Sequence, residues 1–177
     1  MALVNLASKV TYTSGTEDSI VAELPTYNTG ARIYVVVQSR SGSATISLTA
    51  GTTGWTPLTT LTEDYISVWE KDVSDTEDNP SFDSTSTAYM TAVAIAVDDG
   101  GATDVSASIS GSWTASGFEE TFPAQVTTPS AGCSSICVVV GSDFRTNSFP
   151  TSYRTHAYAH QNFRRNLTIG SLYHPAS

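Results

Sequence analysis

Along TAYMTAVAIAV, residues 87–97, two kinds of side chain alternate. Tyr89, Thr91, Val93, Ile95 and Val97 form one set; Ala88, Met90, Ala92, Ala94 and Ala96 form the other. Successive residues of a strand point to opposite faces, so this is a β-strand with one bulky and one shallow face. The bulky set, with Tyr89, Val93 and Ile95 foremost, is expected to fill the interior. The alanine set carries no charge and is expected to be covered, either by another part of the chain or by a neighbouring subunit.

Similar short apolar runs predict strands near 3–12, 19–24, 32–39, 44–50, 64–72, 87–97, 104–112, 122–127, 135–142 and 166–172. Between them lie turn-forming clusters such as SGTED, TYNTG, SRSGS, DTEDNP and VDDGG. No stretch has a capped 3.6-residue apolar period, so no helix is predicted. The pattern implies an all-β fold, a jelly-roll-like antiparallel sandwich. TGARIYVVV (29–37) and AGCSSICVVV (131–140) both run from a glycine turn into I-x-V-V-V. Near-continuous apolar runs of this kind suit central strands buried on both faces, one in each half of the sandwich.

Composition sharpens this picture. The 177 residues include 25 Ser and 26 Thr but only 14% charged residues, against about a quarter in ordinary domains. Threonine suits a half-wet pleated surface. Charge is unevenly spread. Residues 1–144 hold all 17 acids and four bases (Lys9, Arg32, Arg40, Lys71), a net charge of −13. Residues 145–177 hold Arg145, Arg154, Arg164 and Arg165 with no acid, a net charge of +4. The expected organisation is a sandwich over 1–142 and an Arg- and Tyr-bearing C-terminal extension over 143–177. Arg145, Tyr153, Arg154, Tyr158, Phe163, Arg164, Arg165 and Tyr173 are its candidate interface residues, being types enriched at interface hot spots. An acidic body is a poor match for nucleic acid, whose phosphates need a basic stripe. No apolar run reaches the roughly 18 residues of a membrane span. The first residues lack the pattern of a secretory signal, so synthesis and folding in the cytosol are expected.

The chemistry of catalysis is hard to find. Cys133-x3-Cys137 and His156-x3-His160 offer zinc-type ligands, but four residues along one strand set the cysteines about 13 Å apart. They are expected to be small buried hydrophobes. The acidic stretch 70–83 (Glu70, Asp72, Asp75, Glu77, Asp78, Asp83) lacks the glycine of a calcium loop. It is expected to be a solvated turn and a counter-surface for the arginines of the extension. There is no G-x-S-x-G and no phosphate-binding glycine loop. Glu119 and Glu120 would point to opposite faces of a strand, a poor glycosidase pair. The sequon Asn166-Leu167-Thr168 is expected to stay unmodified. No catalytic residue, metal ligand or cofactor is expected.

Trp55, held between Gly54 and a Thr-Pro turn, is either a plug for one end of the core or a platform for a sugar ring. Its burial would be worth at most about 4–6 kcal/mol. Trp69 shares parity with Tyr65 and Ser67, not with Ile66 and Val68, so one face of that strand exposes or buries an aromatic.

Five pieces in order, TGARIYVVVQSR (29–40), GWTPLTT (54–60), DYISVWEKDV (64–73), STAYMTAVAIAV (86–97) and VTTPSAGCSSICVVV (126–140), resemble the small β-sandwich domains, with a G-W-T-x-L turn, of bacteriophage virion structural proteins. The resemblance spans about residues 25–142. It implies a non-enzymatic virion protein and favours the plug for Trp55. The expected role is a capsid decoration or cement protein, binding the major capsid protein or other virion subunits as a homo-oligomer. The alternative is a tail or baseplate module gripping host-surface glycan through Trp69, Tyr153 or Tyr158.

Overall fold

A computed structural model describes residues 5–41, 44–58 and 66–98, and three later strands, 134–141, 154–161 and 165–173. Among the described residues every regular element is a strand: β1 (Asn5–Tyr12), β2 (Glu17–Val21), β3 (Arg32–Ser39), β4 (Ile46–Leu48), β5 (Thr56–Pro57), β6 (Ile66–Asp72), β7 (Ser81–Ala88), β8 (Met90–Asp98), β9 (Ser134–Gly141), β10 (Arg154–Gln161) and β11 (Arg165–Tyr173). The fold is an all-β antiparallel sandwich. The predicted strands at 104–112 and 122–127 lie outside the described residues.

The chain divides into two compact units, Met1–Ile109 and Ser110–Ser177. In the first, a five-stranded sheet, β1-β8-β3-β6-β5, packs on a three-stranded sheet, β2-β7-β4. In the second, the described strands form one sheet, β10-β11-β9. There β9, from the expected body, pairs along its whole length with β11, from the expected extension, Leu167 opposite Val140 and Tyr173 opposite Ser134. The two I-x-V-V-V runs thus fall in different units. The first is β3, a central strand with seven consecutive buried residues. The second, β9, is at the end of the strand order of its described sheet.

The sandwich interior sits on the side opposite to the one expected. Ile33, Val35 and Val37 of β3 point into it together with Met90, Ala92, Ala94 and Ala96 of β8. The facing sheet contributes Ile20, Ile46 and Phe82, and Trp55 and Val73 close the cluster. The alanine face is therefore the interior face. The physical reason is volume: two facing sheets are only about 10 Å apart. Phe82 is fully buried and Trp69 leans on it with ring centroids 5.7 Å apart. Alanines on the neighbouring strand leave room for those rings, the alternation of large and small that fills a core without strain.

Val93 and Ile95, expected inside the sandwich, are buried on the other face of the same sheet. Register sets Val93 opposite Val36 and Ile95 opposite Tyr34, with Val68 beyond Val36. All five are at most 7% exposed. So β3 and β8 are buried on both faces. This second face also carries Gln38 opposite Thr91, both buried. The Gln38 Nε2 has no hydrogen-bond partner, which costs about 1–3 kcal/mol.

Tyr89 belongs to neither face. The strand predicted at 87–97 is two strands: β7 in the small sheet and β8 in the large one, with Tyr89 at the crossing. There the Tyr89 carbonyl accepts the Arg40 N–H, and the Arg40 guanidinium lies 5.5 Å from the ring centroid. Tyr89 is half-buried. Strands that change sheets bend at the corner. Here β7 is irregular just before it, where Ser84 and Ser86 bond one another locally.

Enlarging the interior face tests this arrangement. Ala94→Leu should destabilise the protein by about 1–3 kcal/mol through overpacking, read as a lower denaturation midpoint in urea. An Ala94→Leu protein as stable as the parent would mean that the alanine face is not packed.

Candidate functional site

Beside the turn that carries Trp55, a groove of about 270 Å³ is lined by Arg32, Gly54, Thr56, Glu70, Lys71 and Asp72. Three strands build it. In register, Arg32 at the start of β3 stands directly opposite Asp72 at the end of β6, and Glu70 stands opposite Thr56 of β5. The Arg32 guanidinium donates from Nε to Asp72 Oδ1 at 2.5 Å and from Nη2 to Oδ2 at 3.0 Å. Its Nη1 lies 3.9 Å from Glu70 Oε2, an oxygen that is buried and unbonded. Lys71 donates to Glu77 Oε2 at 2.5 Å and to the Thr53 carbonyl at 3.3 Å. The Glu77 N–H in turn donates to the Tyr27 hydroxyl.

This groove is electrostatically closed. The hydrogen bond to Asp72 holds the Arg32 pKa above its usual value, so the group stays cationic throughout the working range. Burial pushes Tyr34 up to about 12, opposed by a hydrogen bond and the charge of Arg32. Arg32 and Lys71 each have a carboxylate of the same chain as partner. Much of the acidic stretch 70–83 is thus occupied locally: Glu70 and Asp72 face Arg32, and Glu77 faces Lys71. What remains is a small polar hollow with matched charges, able to accept hydrogen bonds at Thr56 and Asp72.

Gly54 explains how the hollow and the tryptophan coexist. Its φ of +81° is a left-handed conformation, and an added Cβ would meet Lys71 Cε and Nζ at 3.0 Å. That turn directs Trp55 into the core cluster, where it is 7% exposed. No face of the indole is left for a sugar ring, so Trp55 is the plug. Trp69 lies on the interior face of β6, opposite Val35, and its N–H donates to the Ser67 hydroxyl at 2.9 Å. It is partly buried against the core.

The candidate interface residues divide. Arg145, Tyr153, Phe163 and Arg164 lie outside the described residues. Arg154 and Tyr158 are on β10, Arg165 and Tyr173 on β11, in one antiparallel pair with Arg154 opposite Ser171 and Tyr158 opposite Thr168. The same sheet bears on the zinc-type ligands, of which Cys133 lies outside the described residues. Cys137 is level with Gly170 while His160 is level with Asn166, two strands away. Spacings of about 4.8 Å between strands and 3.3 Å along them separate their backbones by roughly 16 Å. They cannot share one tetrahedral ion. The Arg32–Asp72 pair was not foreseen; the 26 residues between β3 and β6 hide their register.

Compared with family models, with curated proteins and with solved structures, the chain matches none.

Two outcomes follow from the site. Gly54→Ala should lower stability by about 1–2 kcal/mol from the left-handed backbone alone; no loss in a thermal melt would mean that the turn is unstrained. Above neutral pH, the protonated Tyr34 phenol contributes stability that is full below about 10 and is lost as pH rises through about 12. Tyr34→Phe should flatten that alkaline limb of the pH–stability curve, and an unchanged limb would assign it to other groups.

Proposed function

We propose that this chain is a non-enzymatic structural protein of a bacteriophage particle, a capsid decoration or cement protein that stabilises the head by binding neighbouring subunits. The observation that carries the reading is a contrast of charge between the two folded units. Residues 1–109, which contain the sandwich, hold 14 acids and four bases, a net charge of −10, whereas residues 110–177 hold three acids and four arginines, a net charge of +1, and strands β10 and β11 carry arginine and no acid. A rigid acidic body with a basic sheet can bridge subunits that are themselves charged, since complementary potentials steer encounter and fix orientation. The five-piece resemblance to phage virion sandwiches supports the setting. The partners under this reading are the major capsid protein or other virion subunits, including further copies of this chain, and the location is the virion.

The glycan-binding reading is weaker. The buried state of Trp55 and the inward position of Trp69 remove the two aromatic platforms it would use first.

A head-binding assay tests the proposal with the full chain, because removing 145–177 would strip β9 of its partner β11. Purified protein should bind heads lacking it at a saturable ratio and raise their melting temperature. Arg154→Glu with Arg165→Glu should weaken that binding by about tenfold or more, as expected for two lost charge contacts. Binding to host cells that their surface polysaccharide competes away, with no uptake by heads, would overturn the proposal.

A further inference from the structure

Among the described residues the small sheet has an open edge: there β2 pairs with β7 on one side only. The Ala22 N–H donates to the Pro80 carbonyl on the β7 side. Alternation along a strand then turns the N–H and C=O of Ser19 and Val21 the other way. The next outward N–H, that of Glu23, is taken by the Thr11 hydroxyl, so the open stretch is Glu17–Val21. It is exposed within its own chain: every residue but Ile20 is exposed, and Val21 is 50% exposed.

Charge at this edge is left uncompensated. Glu17 and Asp18 stand at one end. Asp78 stands near the other, next to Asn79 and Pro80, which bond Leu24 and Ala22 at the end of β2. Among the described residues none of these three acids forms an ion pair, whereas Glu23 has Lys9, Asp72 has Arg32 and Glu77 has Lys71. Acids at an edge repel a like strand, which is how sheets avoid uncontrolled stacking. They select an extended segment that carries positive charge and no acid.

The chain contains such a segment. β10, RTHAYAHQ, has no acid and carries Arg154 at its start. It is also at the end of the described strand order of its sheet. We propose that the β2 edge of one copy is extended by strand β10 of a second copy, running parallel so that Arg154 stands beside Glu17 and Asp18. The contact joins two different edges, so it is heterologous and builds a ring or an open row instead of a closed pair. It rests on the reading above only in treating the arginine-bearing strands as a contact surface.

Sedimentation of the full chain over a range of concentrations, at low and high salt, tests this without heads. The parent should associate, less so at high salt. Val21→Pro removes one outward N–H and spares the Ala22–Pro80 bond; it should raise the midpoint concentration about tenfold or more. Glu17→Lys with Asp18→Lys should do the same, and adding Arg154→Glu to that protein should restore association. The restoration decides the matter even if Val21→Pro perturbs the fold. A parent that stays monomeric, variants that associate like the parent, or a triple variant that stays dissociated would each overturn the proposal. Head binding by the same proteins, measured separately, reports on the virion reading alone.

Discussion

Everything in the first unit depends on how aromatic rings are accommodated between two sheets. Phe82 has no exposed surface, Trp55 almost none, and Trp69 lies tilted against Phe82. Two sheets at ordinary spacing leave room for such rings only where the opposing side chains are small. The run of alanines on β8 provides that room, and β3 fills the remaining width with Ile33, Val35 and Val37. The bulky residues of β8 are then forced to the other side of the sheet, where Tyr34, Val36 and Val68 join them. Burial on both faces makes β3 and β8 the least replaceable part of the molecule.

With the interior so committed, chemistry is pushed to the edges, and there the charges are mostly self-satisfied. Arg32 and Lys71 hold carboxylates of their own chain around the hollow beside Gly54. Such partly exposed pairs contribute little stability each, about 0–1 kcal/mol, but they fix the ends of β3 and β6 and leave that groove without a strong unmet charge. The contrast is the β2 edge, whose acids have no such partners among the described residues.

Much of the architecture was legible in the sequence. Residues 32–39 were bounded to the residue because a continuous apolar run between a glycine turn and SRSGS has few alternatives. For Trp55 the flanking Gly54 and Pro57 left plug and sugar platform open, and only the family resemblance favoured the buried state that the structure has. Two features were not. The period-two pattern of β8 identifies two faces but not which one meets the second sheet; that depends on Phe82, which sits in SFDSTSTA, a segment polar enough to pass for a loop. The corner at Tyr89 is likewise silent, since alternation runs through it unbroken. At the site, the Arg32–Asp72 register depends on a long connection with no regular spacing, and the division between the two units falls outside any composition change.

Contacts of the Phe82 ring measure the central claim most directly. In nuclear Overhauser spectra of the methyl-labelled protein, the account predicts cross-peaks from the Phe82 ring to the inward set, Val35, Ala92, Ala94 and Ala96. Cross-peaks to Val93 and Ile95 in their place would contradict it, because they would put the bulky face of β8 between the sheets.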